Sequence, residues 1–340
     1  RTQSRRSDEL HVLELLMEKA WTRWSTTVVS IAVAGMLGVG AMNYLVDPYE
    51  IFGTSKLRPG VTVNDRYGKI EHLLANPGRY NGLILGSSVM GVFNPSVADQ
   101  KLPGHRFYNL SYFGGTPEEA LNTLKALEAK GLVFSDIIMG LDAFAFMESK
   151  EAVDLSRRPH PVVSGESRSA FLLSYLTAPS FVQCIGKLAH DQQEVPSIAF
   201  DLSGNGQYHL AAFDREISED PVGFTKRHVS DPAKVRRLSR SGAGLDPAKI
   251  ESFTTLNQWL TSRGIASRFF INPMTSAMRQ EVGEANVEAL VRHVSAISGG
   301  QIPDFSHLAE DGDATFYDLK HIRPSVATNI LGKILAPKSL

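Results

Sequence analysis

The chain has 340 residues, 43% of them hydrophobic and 21% charged, with a formal net charge of -1. Such a composition fits a globular protein with a substantial core, in one large domain or two small ones, and its near-neutral balance leaves no basic face to neutralise phosphates, which argues against a nucleic-acid partner. The single cysteine, Cys184, excludes an internal disulfide and a cysteine-built metal site.

The first element is "SDELHVLELLMEKAWTRW", whose Leu10, Leu13, Leu16 and Met17 recur at helical spacing. This predicts an amphipathic helix within segment 1–23, lying on the cytoplasmic membrane surface or against a partner. Ser25 to Val46 then carries no charged residue and is long enough to cross a bilayer, so 24–46 is expected to be a transmembrane helix. Arg1, Arg5, Arg6, Lys19 and Arg23 precede it, with Trp21 and Trp24 at the expected interface. Positive flanks stay cytoplasmic, which puts 47–340 outside the cytoplasm. Two other readings exist. A cleavable signal peptide would use Val39-Gly40-Ala41 as its small-residue site, but the apolar run exceeds the usual stretch of about 7–15 residues. A buried helix of a soluble protein would not need the basic flank.

From Asp47 onward, short β-rich runs alternate with helical patterns: "GLILG" at 82–86, "FYNLSY" at 107–112, "DIIMGLD" at 136–142, "SRFFINP" at 267–273 and "IPDF" at 302–305. One intervening helix is "TPEEALNTLKALEAKG", with Thr116 as N-cap, Pro117 at its first position and Gly131 at its end. The alternation predicts an α/β domain with a doubly wound parallel sheet. Between about 150 and 245 the rhythm breaks at "SRRPHPVVSGESRS", "SGNGQYH" and "SDPAKVRRLSRSG". That region is expected to be an insertion, with helix around "AFLLSYL" and "SFVQCIGKLAH", capping one edge of the sheet.

Ligands of such sheets bind beyond the carboxyl ends of the strands. The first loop there, "LILGSSVMGVFNPS", has Gly86 for a tight turn and offers Ser87 or Ser88 as a nucleophile, though Gly-Ser-Ser alone is far more often a turn or cap. The second, "FYNLSYFGGTPEEA", has Gly114 and Gly115, which let the backbone approach a ligand as an oxyanion donor or merely turn the chain into the next helix. In "FYDLKHIRPS", Asp318 and His321 stand three positions apart, so the carboxylate could orient an imidazole that takes the serine proton.

Taken in order, "GSS" at 86–88, "NLSYFG" at 109–114, "GLD" at 140–142 and "DLKH" at 318–321 resemble the motif blocks of the SGNH/GDSL hydrolase superfamily. The match spans most of the outer portion and omits the insertion. The resemblance implies a flavodoxin-like sheet. It makes Ser88 the nucleophile, with Ser87 in the usual place of an Asp, His321 the base and Asp318 its orienting acid. Ser88 and Gly114 would supply N–H groups to the oxyanion hole, and no cofactor or metal is implied. In the third block Asp142 stands where the family has an oxyanion-hole Asn. An ionised carboxylate would repel the oxyanion, so either burial keeps Asp142 protonated, or it faces elsewhere, or the site is altered.

In layout the chain is similar to membrane-anchored members that O-acetylate alginate and related exopolysaccharides and, more distantly, to the D-alanine transfer protein of teichoic acid synthesis. This implies a serine esterase or O-acyltransferase in a bacterial inner membrane, with a periplasmic domain acting on an envelope or secreted glycan. The lipid bilayer and a multi-span membrane acyltransferase would be its partners. Hydrolysis of acetyl esters on the same glycan is the close alternative, and a catalytically degenerate subunit of a membrane assembly is the non-enzymatic one.

Overall fold

The computed structural model describes residues 2–147, 154–229, 244–308 and 315–336, with side chains from Met17 onward. The stripe expected at Leu10, Leu13 and Leu16, the 230–242 stretch "SDPAKVRRLSRSG" and the first residues of the expected insertion therefore lie outside the described side chains or residues. Helix α1 (Thr2–Val46) has 45 residues and is about 68 Å long at the usual rise. It passes unbroken through the boundary expected at residues 23–24, where the sequence offers neither proline nor glycine. Its Met17–Val46 portion is long and apolar enough to cross a membrane. Val29, Ile31, Met36 and Leu37 there are each at least 60% exposed, so this is not a helix buried in the protein's own core.

After α1 come α2 (Asp65–Ala75), β1 (Gly82–Leu85), α3 (Pro95–Lys101), β2 (Phe107–Asn109), α4 (Pro117–Ala129) and β3 (Asp136–Leu141). The middle region supplies α5 (Arg168–Leu176), α6 (Phe181–Asp191), the two-residue strands β4 (Ala199–Phe200) and β5 (Tyr208–His209), and α7 (Ala211–Glu219). The chain then returns to the main layer with α8 (Pro247–Ser262), β6 (Ala266–Ile271), α9 (Ser276–Val282), α10 (Glu284–Ser298) and α11 (Pro324–Ile334).

Four strands form a parallel sheet in the order β2-β1-β3-β6. Side chains alternate across it. Leu83, Leu85, Ile137, Met139, Leu141, Phe269 and Ile271 join a core with α2, α4, α8 and α10. Ile84, Phe107, Ile138 and Phe270 join a second core with α3 and α11. Cover on both faces explains why the strands read as continuous apolar runs rather than alternating ones. Phe270 is fully buried, so its truncation to Ala should cost about 3–5 kcal/mol.

Helix α4 starts as its sequence dictates, with the Thr116 hydroxyl accepting from the Glu119 N–H at 3.2 Å and Pro117 at the first turn. Two expected strands are shorter than their apolar runs. The "FYNLSY" run pairs as a strand only through Asn109, then follows β1 through single bonds from Leu110 N–H to Ile84 O and from Tyr112 N–H to Gly86 O. "IPDF" is reduced to one parallel bridge between Asp304 and Ile271.

The middle region touches the sheet at its β2 edge. Asn109 N–H donates to Asn205 O at 2.8 Å, and the Tyr108 and Tyr80 hydroxyls donate to Leu202 O and Gly204 O. The first bond takes up one backbone donor of the edge strand, and the two tyrosines hold the middle region against that edge. Helices α5 and α6 instead pack against the end of α1, where Asn43 Nδ2 donates to Tyr175, Leu176 and Ala178 carbonyls.

Candidate active site

At the end of β1 the backbone turns at Gly86, with φ +136°, and a Cβ there would stand 2.7 Å from Gly140 O. Only glycine fits that turn. Ser87 then caps a five-residue 3-10 helix, Ser88–Val92, and its hydroxyl accepts from the Val89 N–H at 3.2 Å. Ser88 opens that turn, so its own N–H has no preceding turn to bond to. The turn is held from both sides. Asn109 Nδ2 donates to Met90 O at 2.8 Å and Phe93 O at 2.9 Å, and the Tyr208 hydroxyl donates to Ser88 O. Asn109 thus belongs to the scaffold of the turn.

Asp318 and His321 come from a tight loop closed by an antiparallel bridge between Phe316 and Ile322, both buried in the second core. Tyr317 N–H bonds His321 O at 2.7 Å, and the hydroxyl of Thr275, the N-cap of α9, donates to Leu319 O at 2.9 Å. The loop presents His321 Nε2 to Ser88 Oγ at 2.8 Å and Nδ1 to Asp318 Oδ2 at 2.7 Å. Asp318 Oδ1 meanwhile accepts the backbone N–H groups of Lys320 and His321 at 2.9 and 2.8 Å. Burial alone would raise the Asp318 pKa. The His321 charge and hydrogen bond, with the two backbone donors, outweigh it and hold the carboxyl well below its ordinary range. An ionised Asp318 accepts only, so Nδ1 of His321 carries the proton and Nε2 of the neutral ring can accept from Ser88.

Ser88 and His321 border a cleft of about 350 Å³. Gly114, with φ +70°, lies on its rim, Phe113, Phe144 and Met278 give it apolar wall, and Arg157 and Lys320 bring positive charge. The loop that carries Gly114 is fixed by α2. Lys69 Nζ donates to Ser111 O at 2.6 Å, Arg66 to Phe113 O at 2.9 Å, and Phe113 N–H to Asp65 at 3.1 Å. Burial pulls the Lys69 pKa down to about 8, against the favourable charge of Asp65.

Asp142 is 4% exposed, and its carboxyl is engaged by Asn272 Nδ2 at 2.9 Å and by the Ser87 hydroxyl. Burial raises its pKa, opposed by those two hydrogen bonds and by the charges of Lys320 and His321. Asn272 is a residue that the sequence reading passed over. It directly follows β6 at the carboxyl end of that strand, as Asp142 follows β3. Its Oδ1 is buried with no hydrogen-bond partner, and a Cβ on Gly140 would collide with its amide at 2.6 Å. Tyr208, Arg157 and Lys320 were also passed over, and isolated polar residues in an irregular region carry no sequence signal.

The sequence matches no protein-family model, and no curated protein matches it. The arrangement itself is that of a serine whose proton can pass to a histidine held in one tautomer by a carboxylate.

Proposed function

We propose that this chain is a membrane-anchored serine esterase or O-acyltransferase of SGNH type, acting on an envelope or secreted glycan outside the cytoplasm. The hydrogen-bonded series Ser88–His321–Asp318 at the mouth of a cleft carries the reading. The sheet order, with the site at the carboxyl ends of its strands, is compatible with a flavodoxin-like arrangement. Ser88 Oγ attacks the acyl carbonyl and gives its proton to His321 Nε2, which passes it to the departing alcohol. An acceptor hydroxyl then loses its proton to His321 Nε2 and takes the acyl group, while His321 returns that proton to the departing Ser88 Oγ. If the acceptor is a sugar the outcome is transfer, and if it is water the outcome is hydrolysis. N–H groups of Ser88 and Gly114 would hold the oxyanion, and Asp142 would join them only as a neutral acid. A multi-span membrane acyltransferase would be the acyl donor's source.

The full chain in detergent, given an acetyl ester and a glycan oligosaccharide, should release acetate or move it to the sugar, and Ser88→Ala should do neither. The second reading, a degenerate subunit of a membrane assembly, is favoured by one observation, the buried carboxyl of Asp142. It predicts no turnover by the native chain.

A further inference from the structure

Helix α6 is built inside out. Its buried positions are Cys184, Lys187 and His190, whereas Phe181, Val182, Ile185, Leu188 and Ala189 face outward. Phe181, Val182, Ile185 and Leu188 are 61%, 75%, 50% and 45% exposed, and Leu173 of α5 adds 57% beside the same elbow. A helix bathed in water would turn those side chains inward. The buried lysine is not left unpaired, because its Nζ bonds Asp47 O at 2.8 Å and Glu50. The inversion is therefore a stable design of the fold.

The position of this elbow along α1 identifies its surroundings. Contacts descend the membrane-spanning helix turn by turn: Lys187 meets Asp47, Cys184 Sγ meets Asn43 Oδ1 at 3.8 Å, and Leu176 packs on Gly40, where a Cβ would stand 3.6 Å from its Cγ. Stacked Trp21 and Trp24 mark one end of the apolar stretch. Counting from Trp24, Gly40 lies about 24 Å along the helix and Tyr44 about 30 Å, while the hydrocarbon core is about 30 Å thick. Tyr44 is 47% exposed, an aromatic at the second interface. The elbow between α5 and α6, bent by 78°, thus dips from the level of Asp47 to that of Gly40, inside the apolar layer.

We propose that the outward face of α6, with Leu173, is a second membrane-contact site, seated in the acyl-chain boundary of the leaflet on the domain's side. Together with α1 it fixes the tilt of the catalytic domain over the bilayer, which a single helix cannot do. Lipid acyl chains are the ligand, and the proposal is independent of the chemistry at Ser88.

The test places a bimane label on Val182→Cys, on Leu188→Cys or on the exposed control Ser262→Cys, each in the full chain with Cys184→Ser, in phosphatidylcholine vesicles. Phospholipid brominated on its acyl chains should quench Val182 most, Leu188 less and Ser262 not at all. Aqueous iodide should give the reverse order. Equal quenching at all three sites, or a Val182 label open to iodide in vesicles of purified protein, overturns the proposal. So does shielding that appears only at high protein density or only in native membranes, which would identify a second copy or a protein partner as the cover. Val182→Glu with Ile185→Glu, both outward-facing, should leave the fold and ester turnover in detergent intact while abolishing acyl-chain quenching of a label at Leu188. Persistent quenching there also overturns it.

Discussion

Ser88 Oγ stands 2.8 Å from His321 Nε2 across 233 positions of sequence, and neither residue is placed by its own segment. Ser88 is held by a turn that Gly86 permits and that Asn109 and Tyr208 brace. His321 is held by a loop that Phe316 and Ile322 anchor to the core and Thr275 ties to the start of α9. The turn behind Ser88, through Val89, Met90 and Val92, and the loop behind His321, through Phe316 and Ile322, pack into one and the same core, and that shared packing fixes the distance that a proton transfer over one hydrogen bond requires.

If the pair acts as a unit, Ser88→Ala and His321→Ala should each lower ester turnover by about 10⁴–10⁶, with the double variant no worse than either single one. A fluorophosphonate should label the native chain and Ser87→Ala, and fail on Ser88→Ala. Ser87→Ala should instead lose thermal stability, by about 1 kcal/mol for the lost cap. The opposite labelling pattern would move the nucleophile to Ser87.

Asp318 should matter for rate and for acid stability in different ways. In Asp318→Asn an amide nitrogen facing Nδ1 would force the other tautomer, and the rate should fall by about 10⁴. The folded-state pKa of Asp318 is depressed, so its stabilising contribution is fully present above the unfolded pKa of about 3.9 and is lost as pH falls through the folded value. Melting temperature followed from pH 6 downward should drop less steeply in the variant. Equal slopes would mean that Asp318 does not titrate differently in the folded chain.

How much of this was legible in the sequence follows from the kind of force involved. The runs at 82–85, 107–109 and 136–141, and the Phe269–Ile271 half of 266–271, are buried on both faces, and continuous apolar runs report that directly. Asp318 and His321 were legible as a pair because three positions of one loop hold both. Nothing local could show that Ser88 and not Ser87 meets them, since that depends on the orientation of a 3-10 turn set by Gly86. Asn272 was missed because its partner, Asp142, is 130 residues away. The segment "SFVQCIGKLAH" was legible only as helix, and which side of α6 faces in is decided by Asp47 and Glu50 capturing Lys187, a tertiary fact.

Tyr208 tests whether the middle region supports the site. Its ring lies where a Cβ on Gly91 would be 2.0 Å away, and its hydroxyl bonds Ser88 O. Tyr208→Phe should cost about 1 kcal/mol and lower kcat with little change in KM, because the turn is loosened while the cleft wall is kept. Gly91→Ala should destabilise by about 1–3 kcal/mol through overpacking. Unfolding curves and steady-state rates distinguish the two, and unchanged kcat in a Tyr208→Phe chain would show that the brace is dispensable.

The folded pKa of Asp142 is raised by burial. The folded chain then binds more protons than the unfolded one between the unfolded value of about 3.9 and the raised one, so stability falls as pH rises through that window. Asp142→Asn removes the loss and should melt higher than the native chain at neutral pH, with the difference gone below about pH 4. If the neutral acid also donates to the oxyanion, Asp142→Asn should keep or raise activity, and Asp142→Ala should lose about 10²–10³. The native pH–rate profile should then fall as Asp142 ionises, and Asp142→Asn should lack that limb while keeping the one set by His321. Full activity in both variants with an unchanged profile would confine Asp142 to its bonds with Asn272 and Ser87. Turnover that appears only in Asp142→Asn would identify the native chain as a disabled relative, its cleft retained for binding, because the one substitution that restores a permanent donor would have restored the chemistry.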